Sequence, residues 1–359
     1  MADPRPEQVL DALRHVQDPD LHRDIVDLGF VKDLRVDGGK VAFTIELTTP
    51  ACPVKEKMES QARELVSAVP GVRQVDVRMT AQVRAMGSGT APELTGVKNL
   101  IAVASGKGGV GKSTVAANLA LALVREGARV GLLDADIYGP SIPIMMGARD
   151  AQPRMQDDRI VPIEAHGLRL MSIGFLAGPE APVVWRGPMV HKMVSQFLGG
   201  VAWGELDYLV IDLPPGTGDA QLTLTQSAPL SGAVIVTTPQ DVALEDVYRG
   251  VRMFEQVKVP ILGIVENMSY FACSHCGQRE EIFAHGGGRR AAEKYKVPFL
   301  GEIPIVSAIR AAGDNGLPIV AAEPQSPAAE AFRAVARATA AQLATRAFQA
   351  PARPTIKFV

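Results

Sequence analysis

The sequence predicts an α/β protein: a mainly parallel sheet covered by helices on both faces, preceded by a small α+β domain. Three observations predict it. From Asn99 onward, short apolar runs alternate with helix-like segments, the pattern of strands buried on both faces and joined by crossover helices. The first of these runs feeds the loop Ser105-Gly106-Lys107-Gly108-Gly109-Val110-Gly111-Lys112-Ser113-Thr114, and a helix-like stretch over 115–124 leaves it. Ahead of Asn99 the order differs: a helix pattern, two alternating strands about a glycine turn, a second helix and a third strand.

The elements follow in chain order. Val9, Leu10, Leu13 and Val16 give residues 8–17 a helical period, which Asp18-Pro19-Asp20 breaks. Residues 29–36 and 40–47 alternate as strands about Asp37-Gly38-Gly39, a hairpin turn composition. A helix over 54–69 leads through Pro70-Gly71 to a strand over 72–78, which completes a small domain of residues 1–80. Residues 81–98, with Gly87-Ser88-Gly89, lack a period and are expected to be a flexible linker. The larger domain, residues 99–349, carries strands over 100–104, 130–134, 208–212, 232–237, 261–266 and 298–301. An alanine-rich helix over 328–347 closes it, with Phe332, Val335, Ala336 and Leu343 at helical spacing, and the tail 350–359 is expected to be irregular.

Composition narrows the class. The 359 residues carry a net charge of -2 and no block of Lys or Arg, which gives no reason to invoke nucleic acid or an anionic membrane as partner. No apolar run is long enough to span a bilayer, and the N-terminus lacks a basic start followed by an apolar core, so a cytoplasmic protein is expected. Three cysteines, Cys52, Cys273 and Cys276, are too few for a disulfide framework and are expected as thiols open to metal or redox chemistry.

The chemistry gathers at predicted strand ends, where ligands bind in open α/β sheets. Gly106, four residues, then Gly111-Lys112-Ser113 is a phosphate-binding loop. Its glycines turn successive N–H groups inward, the helix N-terminus adds partial positive charge, and Lys112 supplies a full one, so residues 106–114 are expected to hold ATP. Asp212, ending its strand, can reach a Mg²⁺ ion carried by Ser113 and the terminal phosphates. Asp134 and Asp136 end the strand after the loop's helix; one can hold a metal-bound water, and Asp136 is the candidate to orient the attacking one. The same Asp134-Ala135-Asp136 also suits a turn cap. Cys273-Ser274-His275-Cys276 offers two thiolates where zinc or a 4Fe–4S cluster wants four ligands. A two-fold dimer would complete a four-cysteine site, His275 and His285 keep a one-chain zinc site open, and a redox CxxC is a third option. Cys52 precedes a predicted helix whose partial charge would lower its pKa, and it equally suits a small buried apolar residue. Trp185, Trp203 and Phe197 are expected as core or dimer contacts.

Lys107 adds a second lysine directly after the first loop glycine. With it, residues 106–113 resemble the deviant-Walker ATPases. That resemblance implies a homodimer in which Lys107 reaches the partner's nucleotide and stabilises transition-state charge, as an arginine finger does. Val183-Val184-Trp185-Arg186-Gly187-Pro188-Met189, Asp212-Leu213-Pro214-Pro215-Gly216-Thr217-Gly218-Asp219 and Gly263-Ile264-Val265-Glu266-Asn267-Met268-Ser269, followed by the CxxC, are similar to the Mrp/ApbC family of iron–sulfur cluster carriers. This resemblance implies a P-loop NTPase fold, ATP hydrolysis, a 4Fe–4S cluster bridging two subunits on Cys273 and Cys276, and delivery to apo-proteins alongside cluster-assembly factors. It further implies that Asn267 contacts adenine. Many relatives have proline at the position of Ser274, a difference that removes no thiolate. Residues 1–80, with Asp18-Pro19-Asp20-Leu21 and Thr48-Thr49-Pro50-Ala51-Cys52-Pro53, resemble the small iron–sulfur-assembly domain often fused ahead of that ATPase. Partitioning and division-site ATPases share Lys107 and the dimer, but this sequence shows neither their membrane-targeting amphipathic helix nor a basic DNA-binding surface.

Overall fold

The computed structural model describes residues 4–86, 94, 96–137, 139–176, 187–216, 218–273 and 275–349. The string at 183–186 with Trp185, the glycine-rich part of the 81–98 stretch, Thr217, Ser274 and the tail 350–359 lie outside the described residues. The chain divides into two compact units. One takes residues up to Arg84 and the C-terminal residues from Ala344; the other takes Ala85–Leu343.

In the N-terminal unit, α1 (Pro6–Leu13) is followed by the antiparallel hairpin of β1 (Val31–Asp37) and β2 (Lys40–Leu47), by α2 (Lys55–Ser67) and by β3 (Gln74–Ala81), which pairs with β2 in parallel. Alternation drives β2: Val41, Phe43, Ile45 and Leu47 are buried in one core with Val9, Leu13, Met58, Ala62 and Val66. α1 stops at Leu13, short of the expected 17, because Gln17 and Asp18 pair with Arg23 and Asp24. Asp18 Oδ1 accepts from the amides of Asp20 and Leu21 at 3.0 and 2.9 Å, a side-chain turn that competes with helix. The closing helix, Pro327–Gln349, was expected to belong wholly to the larger domain, and its residues from Ala344 group with this unit instead. Phe348 is the reason: it packs edge-on against Phe30 with ring centroids 6.2 Å apart, and the Arg84 guanidinium lies over its ring.

The second unit is built on an eight-stranded sheet. Its strands are β4 (Val97–Ala104), β5 (Val130–Asp134), β6 (Ile163–Ala165), β7 (Leu168–Ser172), β8 (Leu206–Asp212), β9 (Gly232–Thr237), β10 (Ile261–Glu266) and β11 (Phe299–Glu302). The order is β6-β7-β5-β8-β4-β9-β10-β11, parallel except for β6 against β7. All residues of β5, β8, β9 and β10 are buried, as continuous apolar runs require. The sequence reading did not include β6 and β7, where Glu164 and Arg169 interrupt short apolar runs about a turn at His166-Gly167. No helix among the described residues is long and apolar enough to cross a membrane.

Candidate functional site

Sheet register assembles the site. Ser172 lies opposite Asp134, and Asp134 opposite Asp212, at the carboxyl ends of β7, β5 and β8. β4, on the far side of β8, delivers the glycine loop, and α3 (Lys112–Arg125) begins at its last lysine with Gly111 in a left-handed conformation, φ 80°. The loop is wedged tightly. A Cβ on Gly111 would stand 2.2 Å from Asn267 Nδ2, and one on Gly106 would stand 2.4 Å from the carbonyl oxygen of Asp246. Asn267 Nδ2 donates to the Val110 carbonyl at 2.8 Å, and the Ser105 hydroxyl donates to the Lys107 carbonyl at 2.9 Å.

Lys112 is the buried centre of charge. Its ammonium donates to Asp212 Oδ1 at 2.6 Å and to Ser113 Oγ at 3.3 Å, and lies 3.6 Å from Asp136 Oδ2. Burial pushes the Asp212 carboxyl above its ordinary value, against the opposing pull of Lys112. Burial and the neighbouring Asp212 push the Asp134 carboxyl up to about 8. Asp134 Oδ2 accepts from Ser172 Oγ at 2.9 Å and from the Ile142 amide at 3.3 Å; its Oδ1 accepts from the Asp136 amide at 3.1 Å. Asp134 therefore orients the backbone that carries Asp136, consistent with the turn-cap reading. Asp212 Oδ2 is buried without a hydrogen-bond partner. An unsatisfied carboxylate oxygen beside Ser113 suits a hard divalent cation, so the residues present fit Mg²⁺.

A cavity of about 860 Å³ opens over the loop. Its lining combines Lys107, Lys112, Ser113, Thr114 and Asp136 with the apolar side chains of Met268, Ile282, Phe283, Ile305 and Ile309. That size and polarity suit a nucleotide, with phosphates on the amides and the base against aliphatic side chains. Asp134 does not line it.

The cysteines form a separate turn in the same unit. Phe271–Ala272 pairs antiparallel with Arg279–Glu280, the Cys273 amide donates to the Gln278 carbonyl at 3.0 Å, and the Gly277 amide donates to the Cys273 carbonyl at 2.8 Å. Cys273 is half-buried and Cys276 exposed. The backbone N–H groups of Cys276 and His275 and the Cys276 thiol all turn toward the Cys273 sulfur, which lowers its pKa and favours the metal-binding thiolate. His285 is engaged elsewhere, with Arg279 at 2.8 Å. Among the described residues neither cysteine falls in a group of three or more metal-ligand atoms, so one chain does not pre-assemble a Cys₂His₂ zinc site. Glu266, His285 and Glu302 do bring ligand atoms within 4.8 Å of one another, but the Arg279 guanidinium bonds His285 and Glu302, and Glu266 accepts from Ser269 Oγ and the Gly286 amide.

Comparison with known proteins places this geometry. The family described as "NUBPL iron-transfer P-loop NTPase" matches residues 96–340, and the family described as "Iron-sulfur cluster assembly protein" matches residues 6–77. The chain belongs to the iron-transfer P-loop NTPase family. An iron–sulfur cluster carrier protein of Deinococcus radiodurans is 52% identical over 339 residues, covering 94% of this chain and 95% of that one. The one of Synechocystis is 49% identical over 345 residues, covering 94% and 98%. Among solved structures, a nucleotide-binding protein of Archaeoglobus fulgidus in complex with ADP, with cobalt, is 45% identical at a TM-score of 0.59, covering 67% of this chain and 93% of that one.

In this iron-transfer NTPase the structure overturns one sequence expectation and narrows others. Cys52 is buried in the N-terminal core, and burial raises its thiol pKa, which reverses the lowering expected from the helix start. Trp203 and Phe197 are buried and joined by a 2.9 Å bond from the indole N–H to the Phe197 carbonyl, which makes them core residues. The Asn267 side chain, expected at adenine, lines the cavity with its amide nitrogen already committed to the loop. Ser172, Asp246, Ile282 and Phe283 were missed. All four lie in stretches without a phosphate-loop or cysteine signature, and only the folded register brings them to the site.

Proposed function

We propose that the protein is an ATP-hydrolysing iron–sulfur cluster carrier that holds a 4Fe–4S cluster between two copies of the chain and delivers it to apo-proteins. One observation carries the reading: a nucleotide-sized cavity on a two-lysine glycine loop and a cysteine turn that favours thiolate lie in the same unit. The 52% and 49% identical relatives, named as carriers of such clusters, support it.

The roles follow from the contacts. Loop amides and Lys112 bind the phosphates; Ser113 and Asp212 would hold Mg²⁺, which neutralises phosphate charge when bound. Asp136 lines the cavity and is fixed through its amide by Asp134, the placement needed to orient an attacking water. Lys107, also on the cavity wall, is assigned to the nucleotide of the partner chain. Two cysteines per chain against four iron ligands call for a two-fold dimer. Cluster-assembly factors are the expected donors, in the cytoplasm.

The test is transfer. Protein reconstituted anaerobically with iron and sulfide should restore activity to an apo form of a 4Fe–4S enzyme, and Cys273→Ala/Cys276→Ala should restore none. Phosphate release should disappear in Lys112→Ala. Equal transfer by the double cysteine variant would overturn the assignment.

A further inference from the structure

Both arms of the cysteine hairpin are rooted in the wall of the nucleotide cavity. The incoming arm leaves β10 through Asn267 and Met268, which line the cavity, while Asn267 holds the Val110 carbonyl of the phosphate loop. Two residues on, the Ser269 amide donates to the Ile303 carbonyl at 3.0 Å, and the Ile305 amide donates to the Tyr270 carbonyl at 2.7 Å; Ile305 is itself cavity wall. The outgoing arm returns through Ile282 and Phe283, which line the same cavity and expose 52% and 38% of their surface. Between the arms, the Arg279 guanidinium lies 3.8 Å from the centre of the Tyr270 ring and bonds Glu302 at 3.0 Å and His285 at 2.8 Å. Glu302 sits opposite Glu266 in the sheet, one residue before Asn267.

We infer that this hairpin couples the cysteine site to the nucleotide site within a single chain, with Ile282, Phe283 and Arg279 as its positioning residues. The inference rests on the assignment of metal to Cys273 and Cys276 and of nucleotide to the cavity. Exposed apolar side chains at the rim gain from being covered by a nucleotide base, and covering them fixes the outgoing arm. Ligation of both thiolates fixes the turn that the arms support. Each ligand thus orders what the other requires, which makes each bind more tightly, by the same factor in both directions.

The experiment uses the full chain, Co²⁺ as the thiolate probe and ADP as the nucleotide. Co²⁺ should tighten ADP binding at least about fivefold, and ADP should tighten Co²⁺ by the same factor. Ile282→Ser/Phe283→Ser should bring both factors close to one while each ligand still binds, and Arg279→Ala should reduce them. Undiminished coupling in the Ile282/Phe283 variant would overturn the one-chain route. A wild type that shows the Co²⁺–thiolate absorption yet binds ADP unchanged overturns the coupling alone. Absorption that persists in Cys273→Ala/Cys276→Ala overturns the cysteine assignment beneath it.

Discussion

Lys112 holds the site together before any nucleotide arrives. Its ammonium is buried with Asp212 at 2.6 Å, and removing one partner of a buried pair leaves the other charge without compensation. Lys112→Ala should therefore destabilise the nucleotide-free protein by about 3–5 kcal/mol in urea unfolding. Lys112→Ala/Asp212→Asn should recover part of that loss, and no recovery would mean the pair is not the cause. Asp134 gives a second residue-scale prediction. Its carboxyl titrates near 8 in the folded chain against an ordinary 3.8, so between those values the native state holds a proton that the unfolded state has released. Stability contributed by Asp134 thus falls as pH rises from about 4 to 8. The stability of wild type relative to Asp134→Asn should decline across that window, and a pH-independent difference would contradict it. The sequence pointed to Asp134, Asp136 and Asp212 because each follows an apolar strand. It could not separate the buried orienting acid from the cavity residue, since that difference depends on Ser172, a partner on an unpredicted strand.

At the scale of elements, the central strands were legible because burial on both faces leaves continuous apolar runs: β5, β9 and β10 match the expected residues end to end. β6 and β7 were not, because a short edge pair carries polar residues that mask its period. The glycine loop was legible as a motif, but its neighbours were not. Asn267 and Asp246, from distant parts of the chain, leave no room for a Cβ at Gly111 or Gly106. Gly111→Ala should weaken ADP binding at least tenfold, which is about 1.4 kcal/mol, in a calorimetric titration; unchanged affinity would show that Asn267 yields freely. The cysteine turn predicts reactivity. Because amide N–H groups point at the Cys273 sulfur, its alkylation by iodoacetamide should reach half its limiting rate below the ordinary thiol pKa. A midpoint at or above 9, read by mass spectrometry, would contradict the turn's polarity.

The whole molecule joins two units, and the sequence strings that resemble cluster carriers run through the larger of them, as the family match over residues 96–340 does. What sequence order could not show is that the chain comes back to the nucleotide cavity after the cysteines. Cys273 and Cys276 follow Asn267 by only a few residues, and the chain then returns through Ile282 and Phe283 to the same cavity. Nucleotide site and cysteine turn are thereby neighbours inside each chain, while the ligand count of the turn still calls for a second chain. Iron analysis with sedimentation of the anaerobically reconstituted protein tests this most directly. About two irons per chain, in a species of two chains that loses its iron in Cys273→Ala/Cys276→Ala, is the predicted result; iron retained by the double cysteine variant, or held stoichiometrically by a single chain, would contradict it.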